Sequence, residues 1–362
     1  MLTIGVEEEF LLVDPHTGEN APVSRLVLDR LPAEVEPQSR LEFRRSMVEM
    51  VTTVCTDIGD LHDQLRRHRA AVAQAASAVG ARVLAVGATP VAEPDRRVAD
   101  DPRFEAIARH YGPIAHDPAV CGSHVHVGVP ERSLAIEVCN HLRGWLPILQ
   151  GLAANSPLYL GADTGHASWR SLQLQRWPSV GPSPLVGSAG EYDEIVSAHV
   201  ASTAMLDPSM VLWYARPSTS YPTVEVRVSD VGLTTGDTVV VAALVRALVA
   251  TILDDIAAGR SAPPIPDHLL HVAHWSAAHH GLDGPLLDPR TGQARPAWDL
   301  VDELVHTVAE ALHQHGDLPV VDKELARLRE HGTGANRQRH ILHSAGSVPG
   351  AVATLAELTS AG

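Results

Sequence analysis

The chain has 362 residues, 45% of them hydrophobic, and a formal net charge of −15. That length and apolar content specify a folded globular protein with a large core, and the acidic balance argues against a nucleic-acid backbone as the main partner. Lys323 is the only lysine, which excludes the G-x-x-x-x-G-K-[ST] phosphate loop and leaves recognition of phosphate or carboxylate groups largely to arginine.

The first stretch, TIGVEEEFLLVD from Thr3 to Asp14, reads as a strand. Side chains alternate faces along a strand, so Glu7 and Glu9 share one face and Glu8 falls on the other. Two carboxylates one step apart repel each other. They are either solvated at an edge or neutralised by protons, arginines or a hard cation such as magnesium. DPHTGE (Asp14 to Glu19) reads as a turn. Residues 40–52 read as two short extended pieces around a polar break, carrying Glu42 and Glu49. Apolar residues from Ile58 to Val79 recur at helical spacing behind Asp57, a capping residue. Arg82 to Pro90 reads as a buried strand, and a short helix is expected near Phe104 to Tyr111.

Val120 to Pro130 is the next informative strand, with His124 and His126 on one face. Residues 133–154 read as one apolar helix. Leu158 to Gly190 is rich in Gly, Pro and Ser and too long for an ordinary connection; it carries Trp169, Arg170, Arg176 and Trp177. A helix over 191–205 and a strand over Met210–Pro217 precede TVEVRVSD (Thr223–Asp230), which places Glu225 and Arg227 opposite three valines. Residues 238–258 and 267–280 read as helices, Asp288 to Pro296 as a loop, Trp298 to Leu312 as helical, and His331 to Arg339 as a Gly-containing turn. A last apolar helix closes near Leu358. No Ser- or Gly-rich linker divides the chain, so one α+β domain spanning 1–362 is expected.

Cys55, Cys121 and Cys139 are odd in number and form no C-x-x-C pair, so no disulfide framework is expected. Neither a leader pattern nor a membrane-length apolar run is visible. A cytoplasmic protein with no membrane partner is the expectation.

Three strand-like segments thus share one design: Glu7/Glu9, His124/His126 and Glu225/Arg227 stand at i and i+2 against β-branched residues. Each pair alone has an ordinary explanation. An H-x-H on a strand is often simply hydrogen-bonded, and an exposed Glu225/Arg227 pair contributes little. Together with Glu42 and Glu49 they suggest a sheet face built for divalent ions and a phosphorylated ligand. A zinc-type hydrolase using His124/His126 is the alternative enzyme class, although no H-E-x-x-H is present. A non-catalytic nucleotide- or metal-binding protein is a third reading.

The stretches GVEEEF (Gly5–Phe10), CGSHVHVG (Cys121–Gly128), ANSP (Ala154–Pro157), DTGHASWR (Asp163–Arg170), WPSVGP (Trp177–Pro182), TVEVRVSDVGLT (Thr223–Thr234) and GTGANRQR (Gly332–Arg339) together resemble the carboxylate–amine ligases, or type 2 glutamate–cysteine ligases. The resemblance implies a glutamine-synthetase-like catalytic core: a curved, mostly antiparallel sheet with helices packed on its outer face. It implies that ATP phosphorylates a carboxylate, typically the γ-carboxylate of glutamate, and that an amine such as cysteine attacks the acyl phosphate. By the same resemblance Glu7, Glu9, Glu42, Glu49, His124 and Glu225 are magnesium ligands, with His126 and Glu8 as further neighbours. Arg227 stabilises the transferring phosphoryl group, Arg170 grips a substrate carboxylate, and Arg337 and Arg339 contact nucleotide phosphate or substrate. Size and apolar helices suggest a homodimer. One departure from the family pattern is AHWSAAHHGL (Ala273–Leu282), where His279 and His280 stand in place of an arginine.

Overall fold

β-Branched residues that alternate with polar ones favour strands, because a pleated backbone sends successive side chains to opposite faces. In the computed structural model, which describes residues 1–361, these stretches build a seven-stranded sheet whose strand pairings are all antiparallel. Its first members are β1 (Ile4–Val13), β2 (Ser39–Leu41), β3 (Met47–Val51), β4 (Arg82–Leu84) and β5 (Gly122–Gly128). A small separate hairpin follows, β6 (Leu158–Tyr159) with β7 (Ala162–Asp163). The sheet resumes with β8 (Ala215–Pro217) and β9 (Thr223–Asp230). The order is β2-β3-β1-β5-β9-β8, with β4 on the far half of β1.

The valine side of the sheet is the core side. Val125, Val127, Val224, Val226 and Val228 pack with Val239, Val240 and Ala243 of the Thr235–Ala257 helix. Full burial of each such side chain stabilises the fold by about 1.5–3 kcal/mol. That helix starts at a capping box of Thr234 and Asp237 and lies beside the Ile58–Ser77 helix, which Asp57 caps through Gly59 N and Asp60 N. Among the described residues no helix is long and apolar enough to cross a membrane. The α+β expectation therefore holds, with the two long helices, Ile58–Ser77 and Thr235–Ala257, on the face away from the carboxylate pairs.

Several elements differ from the sequence reading. The segment 133–154 forms two helices, Arg132–Leu142 and Leu146–Leu152; Pro147 has no N–H to give the Arg143 carbonyl, so one helix cannot run through. The strand expected to Pro90 stops at Leu84, because Gly87 N turns to Asn155 O and Gly87 O accepts from Cys121 N. Met210–Val211 closes a 3-10 turn that begins at Pro208, and only Ala215–Pro217 is strand. The loop expected at Asp288–Pro296 is a hairpin, β10 (Pro285–Asp288) with β11 (Gln293–Pro296), turned at Gly292 with φ +71°. The turn expected at His331–Arg339 ends at Thr333, whose capping box with Asn336 starts the Gly334–Ala345 helix.

Candidate active site

Antiparallel register brings the polar pairs of distant segments side by side. Glu9 stands opposite Glu49 on β3, Glu7 opposite His124 on β5, and His126 opposite Glu225 on β9, which in turn faces Arg216 on β8. Glu7 Oε2 lies 2.9 Å from His124 Nδ1, and Glu7 Oε1 lies 3.2 Å from His126 Nε2. His124 is also 3.8 Å from Glu9 and 3.9 Å from Glu225. The ligand atoms of Glu7, His124 and Glu225 all fall within 4.8 Å of one another. Glu9 Oε2 accepts from Gly122 N at 2.6 Å, which holds its carboxylate over β5.

The charges on this face are unequal. Burial opposes the charge on Glu7, but hydrogen bonds from His124 and His126 outweigh it and hold that carboxyl far below its usual range. Burial also opposes the charge on Glu225, and Arg227, Arg216 and His124 outweigh it. Arg216 Nε donates to Glu225 Oε2 at 2.9 Å, and Arg227 pairs with Glu225 Oε1. Glu42, just past β2, has the opposite fate: burial and the nearby Glu9 charge push it up to about 8. Burial and repulsion from Glu42, Glu7 and Glu9 likewise raise Glu49 well above the ordinary glutamate value. The face holds more carboxylates than its own cations can neutralise.

Arg170 reaches the same place from the Trp169–Leu174 helix. It lines one cavity with Glu9, Glu42, His124 and Arg227. A Cβ on Gly122 would overlap its guanidinium, so the glycine makes room for the arginine. Buried Asp230, at the end of β9, fixes this corner: it accepts from Asn155 N at 2.8 Å, Ser156 Oγ at 2.7 Å and Ser168 Oγ at 2.9 Å. Ser156 Oγ in turn accepts from Arg170 N at 3.1 Å.

Seven of the nominated groups therefore converge with Arg170: Glu7, Glu9, Glu42, Glu49, His124, Glu225 and Arg227. Glu8 does not join them. It points through the sheet to Arg69 Nε at 3.1 Å and Thr238 Oγ1 at 2.6 Å. Arg337 and Arg339 also lie outside the cavity lining. Arg337 pairs with Asp237, and Arg339 Nε donates to Asp163 at 2.9 Å. Their stretch is latched to ANSP instead: Gln338 Nε2 donates to Asn155 O and Oδ1, both at 2.7 Å, and Gly334 packs against the Asn155 side chain. His279 stacks on Trp275 at 5.0 Å, near the Arg339 anchor rather than in the cavity. Arg216, Asp230, Ser156 and Ser168 were not nominated from the sequence. Only strand pairing and loop folding bring them to the site.

The comparisons agree with this architecture. The family model described as glutamate–cysteine ligase family 2 matches residues 3–357. A protein of Salinispora arenicola named "Putative glutamate--cysteine ligase 2" is 59% identical over 341 residues, covering 94% of this chain and 90% of that one. Among solved structures, glutamate–cysteine ligase from Francisella tularensis in complex with AMP aligns with a TM-score of 0.72 at 14% identity, over 99% of this chain and 88% of that one. A bifunctional glutathione synthetase from Pasteurella multocida aligns with a TM-score of 0.71 at 17% identity over 99% of this chain, which spans 52% of that longer protein. At such identities the structural likeness speaks to fold alone, while the family match spans nearly every residue. The chain belongs to glutamate–cysteine ligase family 2, and is an ATP-dependent C–N ligase.

Proposed function

We propose that this sheet face joins glutamate, through its γ-carboxylate, to an amine such as cysteine by way of an acyl phosphate, releasing ADP and phosphate. The observation that carries the reading is the convergence of five carboxylates, His124 and Arg227 from β1, β3, β5, β9 and the end of β2. Magnesium fits this donor set. Hard cations take carboxylate oxygens, and the raised Glu42 and Glu49 mark a place short of positive charge. Glu7, Glu9, Glu42, Glu49, His124 and Glu225 would hold the metal, which when bound offsets phosphate charge.

The chain's own groups then divide the work. Arg227 is held between Glu225 and the cavity, where its charge can meet the transferring phosphoryl group. Arg170 offers a guanidinium for a substrate carboxylate. A nucleotide contact by Arg337 or Arg339 would have to displace Asp237 or Asp163.

The test is ADP release with ATP, magnesium, glutamate and a series of amines. Glu7→Gln and Arg227→Ala are each expected to lower turnover by about 100-fold or more, the scale of losing one charge-stabilising group, with thermal unfolding still cooperative. Full activity in both variants would place the chemistry elsewhere.

A further inference from the structure

Beyond the carboxylates the cavity changes character. It has a volume of about 230 Å³, and its far walls are apolar, with Phe43, Phe104, Ile107, Leu174, Trp177 and Leu212 prominent among them. The aromatic rings are set by one another: Phe43 meets Phe104 edge to face at 5.6 Å and Trp177 at 6.2 Å. Arg44 also borders the cavity, but its guanidinium is spent on the carbonyls of Arg96, Ala115 and Asp117. A cavity of about 150 Å³ lined by such residues is enough for benzene. The thiol of cysteine would leave most of this one without contacts.

The floor end carries a second, polar observation. Arg170 is 5% exposed; its Nη1 faces the buried Asp230 carboxylate at 3.8 Å, too far for a hydrogen bond, and its Nε has no hydrogen-bond partner. A buried donor left unpaired is costly until a ligand supplies an acceptor. The space therefore asks for a molecule with a carboxylate at one end and an apolar body at the other, positioned beside the groups that would hold the acyl phosphate.

We propose that the amine substrate is an α-amino acid with a bulky apolar or aromatic side chain, its carboxylate on Arg170 and its side chain in this cavity. The proposal rests on the ligase reading above and narrows its amine. The amine lone pair attacks the acyl-phosphate carbonyl and the C–N bond forms. The C–O bond to phosphate breaks, phosphate leaves with that electron pair, and it takes the proton lost by nitrogen.

The experiment compares phenylalanine, leucine, cysteine and glycine as acceptors in ADP release with ATP, magnesium and glutamate, together with calorimetric binding of phenylalanine in the absence of turnover. Phenylalanine or leucine is expected to exceed cysteine in kcat/KM by about 10-fold or more, the discrimination that apolar pocket contacts provide. Leu212→Trp, on the half-buried cavity wall, should lower the ratio of phenylalanine to cysteine kcat/KM by about 10-fold with the KM for ATP nearly unchanged. Leu212→Phe serves if the larger ring prevents folding. A preference for cysteine or glycine overturns the proposal. So does a rise in the KM for ATP with the amine ranking unchanged, which would give the cavity to the nucleotide. Phenylalanine binding that Leu212→Trp abolishes, without ADP release from any amine, would uphold the pocket and sink the glutamate ligase reading instead. Absence of phenylalanine binding together with absence of turnover would end both.

Discussion

Glu42 illustrates how the site stores the demand for a cation in a single side chain. Burial and the neighbouring Glu9 charge push its carboxyl from the ordinary glutamate range up to about 8, so the folded protein binds a proton there that the unfolded chain has already released. Stability follows the excess of protons bound in the unfolded state over the native one as pH rises. With the native state holding the extra proton, Glu42 contributes stability that is fully present below the unfolded value and is lost as pH rises toward 8. Glu49 acts in the same direction. Glu7 and Glu225, held low, act in the opposite sense, and their contribution disappears only in acid. Buried His68 and His274, which desolvation lowers to about 4 and about 3, act the other way up to the ordinary histidine value, so the melting temperature of metal-free protein should fall between about pH 6.5 and pH 8. Glu42→Gln should flatten that slope, and added magnesium should raise the melting temperature most at the alkaline end. Scanning fluorimetry in chelator and in magnesium at three pH values measures this; equal slopes for wild type and Glu42→Gln would contradict it.

On the scale of elements, β1 does two unrelated jobs with three consecutive glutamates. Glu7 and Glu9 face the cavity, whereas Glu8 is sealed against Arg69 and Thr238, with Arg69 Nη1 also donating to Leu233 O at 3.2 Å. Breaking a buried pair by removing one partner leaves an uncompensated charge and typically costs about 3–5 kcal/mol. Arg69→Met should destabilise the protein by about that amount in urea unfolding, while kcat per folded molecule stays close to wild type. Glu7→Gln should do the reverse, and loss of kcat in folded Arg69→Met would show that the two faces of β1 are coupled. The alternation that separates Glu8 from its neighbours is legible in GVEEEF, because strand period is local. Its partner is not, since Arg69 sits on the distant Ile58–Ser77 helix and nothing in its flanking sequence marks it as an anion's mate. Arg216 was hidden for a related reason: β8 has only three residues, too few for a period, and its pairing with Glu225 is set by tertiary register. Asp230 was equally hidden, because Asn155 and Ser156 follow the Leu146–Leu152 helix while Ser168 comes from the Gly- and Ser-rich stretch beyond, and nothing local encodes their meeting. The T-x-x-N capping box at Thr333 was local and readable, yet the glycines around it suggested a turn.

At the scale of the molecule, the question is whether 362 residues behave as one cooperative unit. Chains of this length often unfold through intermediates. Against that, we propose a single domain, because β1 is shared between two hydrophobic clusters. Ile4 and Val6 belong to the cluster around the Thr235–Ala257 helix, and Phe10, Leu11, Leu12 and Val13 to the one around β4. The Val348–Ala361 helix returns to that second cluster through Val352 and Leu355, and Thr359 Oγ1 accepts from Ala85 N at 2.9 Å. Losing either cluster would strip contacts from the same ten-residue strand and so weaken the other. The buried Arg69–Glu8 pair ties the Ile58–Ser77 helix to that strand near its middle. Calorimetry of metal-free protein should show one transition, with calorimetric and van't Hoff enthalpies in agreement. Deleting the Val348–Ala361 helix should lower that single transition rather than split it, because the exposed Val352 and Leu355 contacts are continuous with β1. Two resolved transitions in the intact chain would mean that the strand does not transmit the loss of one cluster to the other.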